Sequence, residues 1–399
     1  MKLDNNRRVF FELLRAGLWG DQELVQGIKS LKVQDSVDWK KVHQLAQEQS
    51  VVGLVAAGID IVQKVQGVQK FKVPQTLLLQ WIGEVQVIEQ RNKAMNAFVA
   101  ALIDKLRKND VYAILVKGQG IAQCYEKPLW RSSGDVDLLL SNSNYEKAKS
   151  VLLPLATDVE TEYSHFKHQG MTIGGWVVEL HGTLHSRLSK RVDSGIDEVQ
   201  RDVFCGGKVR TWMVQGEGLK DNGSSGDVQV FLPAPDEDVI FVFTHILHHF
   251  FIDGIGLRQI CDWCRLLYTY RDSLNYGLLE SRILKMGLMT EWKAFATFAV
   301  EWLGMPVEAM PLLDSSNVQE FKKFEKKADK ICMFVLEVGN FGHKQRRDYS
   351  GMSYLRRKLV SVWGRLGDML RHFQLFPKDS IVFFGGVLRS GLHAAMRGE

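Results

Sequence analysis

AILVKGQGIAQCYEKPLWRSSGDVDLLL, from Ala113 to Leu140, is the stretch that decides how this chain reads. An apolar run, Ala113–Val116, ends at Lys117, and Gly118 and Gly120 open a short amphipathic segment. A basic loop follows, then a second apolar run that carries Asp135 and Asp137. Side chains alternate faces along a strand, so residues two apart point the same way. Asp135 and Asp137 are therefore expected to project together from one strand. Two hard carboxylates beside a Gly turn and an arginine suit a divalent cation and a polyphosphate.

Attack of a hydroxyl on the α-phosphorus of a nucleoside triphosphate needs the parts found here. Metal ions neutralise the phosphates and acidify the attacking oxygen, and a pair of close metals needs bridging carboxylates. Asp135 and Asp137 supply that pair. Glu179, mid-strand in WVVELHGTLH and on the side of Val177 and His181, is the best third carboxylate, as metal ligand or base. Gly118, Gln119 and Gly120 offer backbone N–H groups to phosphate, Lys117 and Arg131 offer charge, and Ser132 and Ser133 offer hydroxyls. An Asp-x-Asp pair alone is common on exposed strand edges. The order strand, Gly turn, helix, basic loop, Asp-x-Asp and then a strand with one acid makes the metal–nucleotide reading preferable. The cofactor expected is Mg²⁺ or Mn²⁺.

Taken together these residues resemble a known family. LVKGQGIAQCYEKPLWRSSGDVDLLL followed by VVELHGTLH is similar to the uncharacterised nucleotidyltransferase family of the polymerase-beta-like superfamily. The matching positions are Lys117–Gly118, Tyr125 with Pro128, Arg131, Gly134 to Leu139, and Glu179 to His181. The layout is also similar to the Gly-Gly and Asp-x-Asp arrangement of CCA-adding enzymes. Weaker likeness extends to LLRAGLWG near the N-terminus and to THILHHFFIDGIGLRQICDW. The superfamily's usual Gly-Ser is replaced by Lys117–Gly118 with Gln119, and the third carboxylate is Glu rather than Asp. The resemblance implies an α+β fold, a mixed sheet with flanking helices between N- and C-terminal helical regions. It implies transfer of a nucleoside monophosphate to an unidentified hydroxyl acceptor, whether small molecule, peptide or protein. The competing expectation is a catalytically degenerate fold that binds nucleotide or assembles with protein.

The 399 residues are enough for two or three domains. Three regions are expected: a helical 1–108, an α/β 109–232 and a helical 233–399. Apolar spacing predicts helices over Arg8–Leu18, Val42–Val55 and Leu77–Leu106, with Pro74 as a break. Short aliphatic runs predict strands at Ala113–Val116, Val136–Leu140, Thr172–Ile173, Trp176–Leu180, Lys208–Val214 and Val228–Leu232, and a helix near Asn144–Leu153. Pro235 with three acids starts another helix. Its His245 and His249, four apart, share a face, and in the next segment Arg258 and Asp262, also four apart, could form a local ion pair. A zinc site at His245 and His249 would lack further ligands. The preferred reading is a polar stripe, with substrate contact by His181, His245, His249 and Arg258 as the functional alternative. His165, His168 and His185 are further polar candidates.

The net charge of +5 is uneven: eleven basic and four acidic side chains lie from Phe341 to Glu399. The near-neutral body argues against nucleic acid as partner. The amphipathic tail, with Leu355, Leu359, Val362, Leu366, Met369 and Leu370 on one face, is expected to dock on its own protein, or else on a partner or an acidic membrane surface. Five scattered cysteines point to reduced thiols and the cytoplasm. Cys261 and Cys264 read as buried thiols rather than a metal or redox pair. No secretory signal is recognised, and no stretch reaches the ~20 apolar residues of a membrane span.

Overall fold

The computed structural model describes residues 3–20, 37–64, 73–162, 167–206, 208–214, 227–252, 254–314, 316, 318–340 and 370–385. Four helices come first: α1 (Asn5–Trp19), α2 (Trp39–Glu48), α3 (Val52–Lys64) and the long α4 (Gln75–Arg107). The helix expected over Val42–Val55 is thus two. Ser50 takes a left-handed φ of 55°, the Ser50 N–H donates to Gln47 O and the Val51 N–H to Ala46 O. This is a Schellman ending, with Ser where Gly is usual, so apolar spacing alone ran straight across it. α1 and α3 cross without intervening side chains. A Cβ on Gly17 would stand 1.8 Å from Leu54 O, and one on Gly58 would stand 1.9 Å from Leu13 O.

The sheet is built from β1 (Ala113–Val116), β2 (Asp135–Leu140), β3 (Asp158–Val159), β4 (His168–Ile173), β5 (Trp176–His181), β6 (Val209–Val214) and β7 (Val228–Pro233). The order is β3-β4-β5-β2-β1-β7-β6, a mixed sheet of seven strands as the sequence implied. β2 runs parallel to β5 and antiparallel to β1, β1 runs parallel to β7, and the short α5 (Gly118–Ala122) follows β1. Gly174 and Gly175, with φ of 58° and 83°, make the two-residue turn that joins β4 to β5. β3 was not foreseen, being two exposed residues. The loop GEGLKDNGSSGD lies outside the described residues, apart from Asp227.

Alternation along β2 sorts the two faces. Val136, Leu138 and Leu140 join an apolar core with Val178 and Leu180 of β5, Tyr145, Ala148 and Leu152 of α6 (Asn142–Leu152), and Met95 to Leu106 of α4. Leu139 joins the other core, on the face from which Asp135 and Asp137 project. That second core runs through the N-terminal helices and through α7 (Lys190–Cys205), α8 (Pro235–Ile252), α9 (Leu257–Tyr270), α10 (Tyr276–Met286), α11 (Met289–Leu303) and α12 (Val318–Val338). The N- and C-terminal helices therefore share one interior. Phe383 and Phe384, near the chain's end, are buried in it, and His372 Nε2 lies 2.7 Å from Phe250 O. The amphipathic tail expected before Leu370 lies outside the described residues.

Candidate active site

Strand register assembles the carboxylates. Asp137 stands opposite Glu179 in the parallel β2–β5 pair, and opposite Val116 of β1. Asp135 is two residues back on the same face. One oxygen from each of Asp135, Asp137 and Glu179 lies within 4.8 Å of the others. Lys117, which follows β1 with a φ of 58°, reaches over this face, and its Nζ donates to Asp137 Oδ1 at 2.8 Å. A positive φ at a non-glycine residue costs energy and persists only where surrounding contacts hold it. The ion pair with Asp137, itself 2 % exposed, is such a contact.

Two histidines complete the floor. His181 Nε2 lies 2.8 Å from Asp137 Oδ1 and 3.4 Å from Glu179 Oε2, and His168 Nε2 lies 3.2 Å from Glu179 Oε2. Burial would raise Asp137, but Lys117 and His181 hold it below the usual carboxylate range. Burial opposes ionisation of Glu179 as well, yet the bonds from His168 and His181 keep it far below that range. Asp135 moves the other way, pushed up by the charge of Asp137, then by burial and Glu179. Burial disfavours charge on Lys117 and His181, but their carboxylate partners outweigh it and raise both.

The floor opens on a cavity of about 380 Å³. Its walls include Lys117, Gly118, Arg131, His168, His185 and, from α8 and α9, His245, His248, His249 and Arg258. His245 and His249 place their Nε2 atoms 3.1 Å apart. Burial first, then Lys117 and the neighbouring histidines, keeps His245 well below the ordinary imidazole range. His165 lies outside the described residues.

The expected phosphate contacts are divided. Lys117, Gly118 and Arg131 reach the cavity, whereas Gln119 and Ser133 do not line it. Gln119 is buried behind the Gly turn, where its Nε2 donates to Asn92 Oδ1, and Ser133 accepts from Arg131 Nη1. Arg131 itself grips Asp262 of α9, Nε to Oδ1 at 2.8 Å and Nη2 to Oδ2 at 2.6 Å, while Tyr125 OH donates to the same Oδ1. Its remaining donor goes to Ser132 O and Ser133 Oγ. The Arg258–Asp262 pair permitted by spacing is thus replaced: Arg258 Nη1 donates to Ser132 O. A four-residue spacing allows a pair, but Arg131 offers Asp262 a two-pronged fit that Arg258 would have to displace.

The sequence marks His168 only as a polar candidate, whereas the structure sets it against Glu179. Its partner His181 lies across the β4–β5 hairpin, where His168 and His181 are direct register partners. The signal available in the sequence was the Gly174–Gly175 hairpin turn, counted outward to both histidines.

All five cysteines are free, and Cys261 and Cys264 are buried, their thiols pushed up by burial. Among the described residues no helix is long and apolar enough to cross a membrane. An all-oxygen trio of carboxylates on adjacent strands is a donor set that fits Mg²⁺ or Mn²⁺. Searches of curated proteins and of solved structures returned no match. The family described as uncharacterised nucleotidyltransferase matches residues 35–304, from just ahead of α2 to the end of α11. That span contains the whole sheet, the carboxylates and both cavity walls, and on it the chain belongs to this family of the polymerase-beta-like superfamily.

Proposed function

We propose that the cleft transfers a nucleoside monophosphate from a nucleoside triphosphate to a hydroxyl acceptor. One observation carries this reading. Asp135, Asp137 and Glu179 meet on one face of adjacent strands, at the floor of a cavity walled by basic side chains. Asp135, Asp137 and Glu179 would hold Mg²⁺ or Mn²⁺, which when bound neutralises phosphate charge and acidifies a hydroxyl. Glu179, held low by two histidines, suits ligation better than proton abstraction. Gly118 lines the cavity, where its backbone would meet an incoming phosphate. Arg258 takes the cationic role first expected of Arg131, since its buried Nε has no hydrogen-bond partner among the described residues. Arg131 instead positions the Ser132–Ser133 loop beneath it. His245, kept neutral by burial, and His249 line the acceptor side of the cavity. The free thiols suit a reducing compartment, and we place the protein in the cytoplasm on that ground.

The second reading, a degenerate fold that binds or assembles without turnover, draws on Lys117. Its ammonium already sits on Asp137, where a cation would be held. Calorimetric titration with ATP, CTP, GTP and UTP, with and without Mg²⁺, separates the two. Transfer predicts Mg²⁺-dependent binding of at least one triphosphate. It also predicts that Asp137→Asn lowers turnover by about a thousandfold or more, as expected when a ligand for transition-state charge is lost. No turnover with any triphosphate, or no triphosphate binding by the folded protein, favours the second reading, and turnover that survives Asp137→Asn overturns the role given to Asp137.

A further inference from the structure

His168, Glu179 and His181 form a set of their own beside the carboxylate trio. Each offers one ligand atom, all within 4.8 Å of one another. The antiparallel register of β4 and β5 makes His168 and His181 direct partners, and Glu179 sits two residues before His181 on the same face. Both imidazoles turn a nitrogen toward the same atom, Glu179 Oε2, at 3.2 Å and 3.4 Å. Those separations are long for charge-assisted hydrogen bonds, which run about 2.7–2.9 Å. They serve as hydrogen bonds with no cation present, and they also match the edges of a coordination polyhedron. With metal–ligand bonds of about 2.1 Å, neighbouring ligands stand about 3.0 Å apart in an octahedron and about 3.4 Å in a tetrahedron. The ring centroids are 4.9 Å apart and the planes are tilted by 43°, so the rings do not stack face to face.

We infer that His168, Glu179 and His181 form a second cation site, distinct in chemistry from the Asp135–Asp137–Glu179 site and selective for a borderline transition metal of the Zn²⁺ class. Two nitrogens and one oxygen suit Zn²⁺, Co²⁺ or Mn²⁺, whereas Mg²⁺ prefers oxygen alone and keeps its waters. The two sites share Glu179, so the cleft is built for two unlike cations bridged by one carboxylate. His181 Nε2 also lies 2.8 Å from Asp137 Oδ1, so a cation held by that nitrogen would displace this hydrogen bond and lie beside Asp137. This inference deepens the proposed function but does not require nucleotide.

The test uses the full chain, freed of metal by chelation, with no triphosphate present. Co²⁺ is added and followed by visible absorption, and Zn²⁺ affinity is read by competition. One equivalent of Co²⁺ should bind with the absorption of a nitrogen-ligated site. His168→Gln should weaken Co²⁺ and Zn²⁺ binding by about a hundredfold while leaving far-UV circular dichroism unchanged. His168→Asp should restore binding with the preference shifted toward Mn²⁺ and Mg²⁺. Asp135→Asn, which touches only the other site, should keep the Co²⁺ spectrum. Unchanged Co²⁺ and Zn²⁺ affinity in folded His168→Gln would overturn the assignment, leaving the histidines as supports that orient Glu179. Loss in His249→Gln but not in His168→Gln would also overturn it, placing the ion on the helical pair. Co²⁺ binding without triphosphate binding would preserve this site and count against the transfer reaction alone.

Discussion

Two buried charge clusters share one cleft, and they are built on opposite terms. At the Arg131–Asp262–Tyr125 cluster one carboxylate meets one guanidinium, and a phenol and two loop oxygens use what remains. Each guanidinium nitrogen and both carboxylate oxygens have a partner, and the charges of the pair cancel. At the Asp135–Asp137–Glu179 cluster three carboxylates face Lys117 and two histidines, and Asp135 is pushed toward its neutral form by its neighbours. A closed cluster ties elements together. A cluster with negative charge left over costs stability alone and gains it on binding a cation. The difference separates a tether from a candidate site, although Arg131 of the tether reads as a phosphate-binding residue in the sequence.

The largest expected effect breaks the tether. Asp262→Ala leaves a buried guanidinium and phenol without their partner and should destabilise the fold by about 3–5 kcal/mol, measured by urea unfolding. A loss below about 1 kcal/mol would mean that water reaches Arg131 and that the cluster is not closed. A smaller effect sharpens the open cluster. Lys117→Gln removes the ammonium from Asp137 and should tighten Mg²⁺ binding about tenfold in calorimetry, since a competing charge is gone. Weaker binding would instead show that Lys117 holds Asp137 in place for the metal.

The smallest concerns a third buried pair, Arg210 with Asp238 at the first turn of α8. Burial lifts Asp238 to about 6 against the pull of Arg210, whose guanidinium stays charged throughout. The folded state thus holds the Asp238 proton to higher pH than the unfolded chain. Its contribution to stability is full below about pH 4 and is lost as pH rises through about 6. Urea midpoints from pH 4 to 7 should show this slope, of order 1 kcal/mol, and Asp238→Asn should flatten it. An unchanged slope in the variant would assign the dependence to other groups.

The sequence by itself carried what is local. Period-two alternation in DVDLLL fixed which side chains of β2 face the apolar core and which face the cleft. The Gly turn after Lys117, the helix start at Pro235 and the pairing of Asp135 with Asp137 are likewise short-range facts of chain stereochemistry. The end of α2 was not legible, because Ser50 adopts a left-handed conformation that its identity does not announce. Tertiary structure decided the rest. Which acid joins Asp137, which histidine joins Glu179, and which arginine takes Asp262 depend on strand order and helix docking. The strand pattern points to Glu179 and the Gly174–Gly175 hairpin count to His168, but the choice of arginine is set by burial summed over the whole interior, and no spacing along the chain encodes it. Arg131 shows the reason most directly: its charge was visible from the start, but its partner lies 131 residues away on α9.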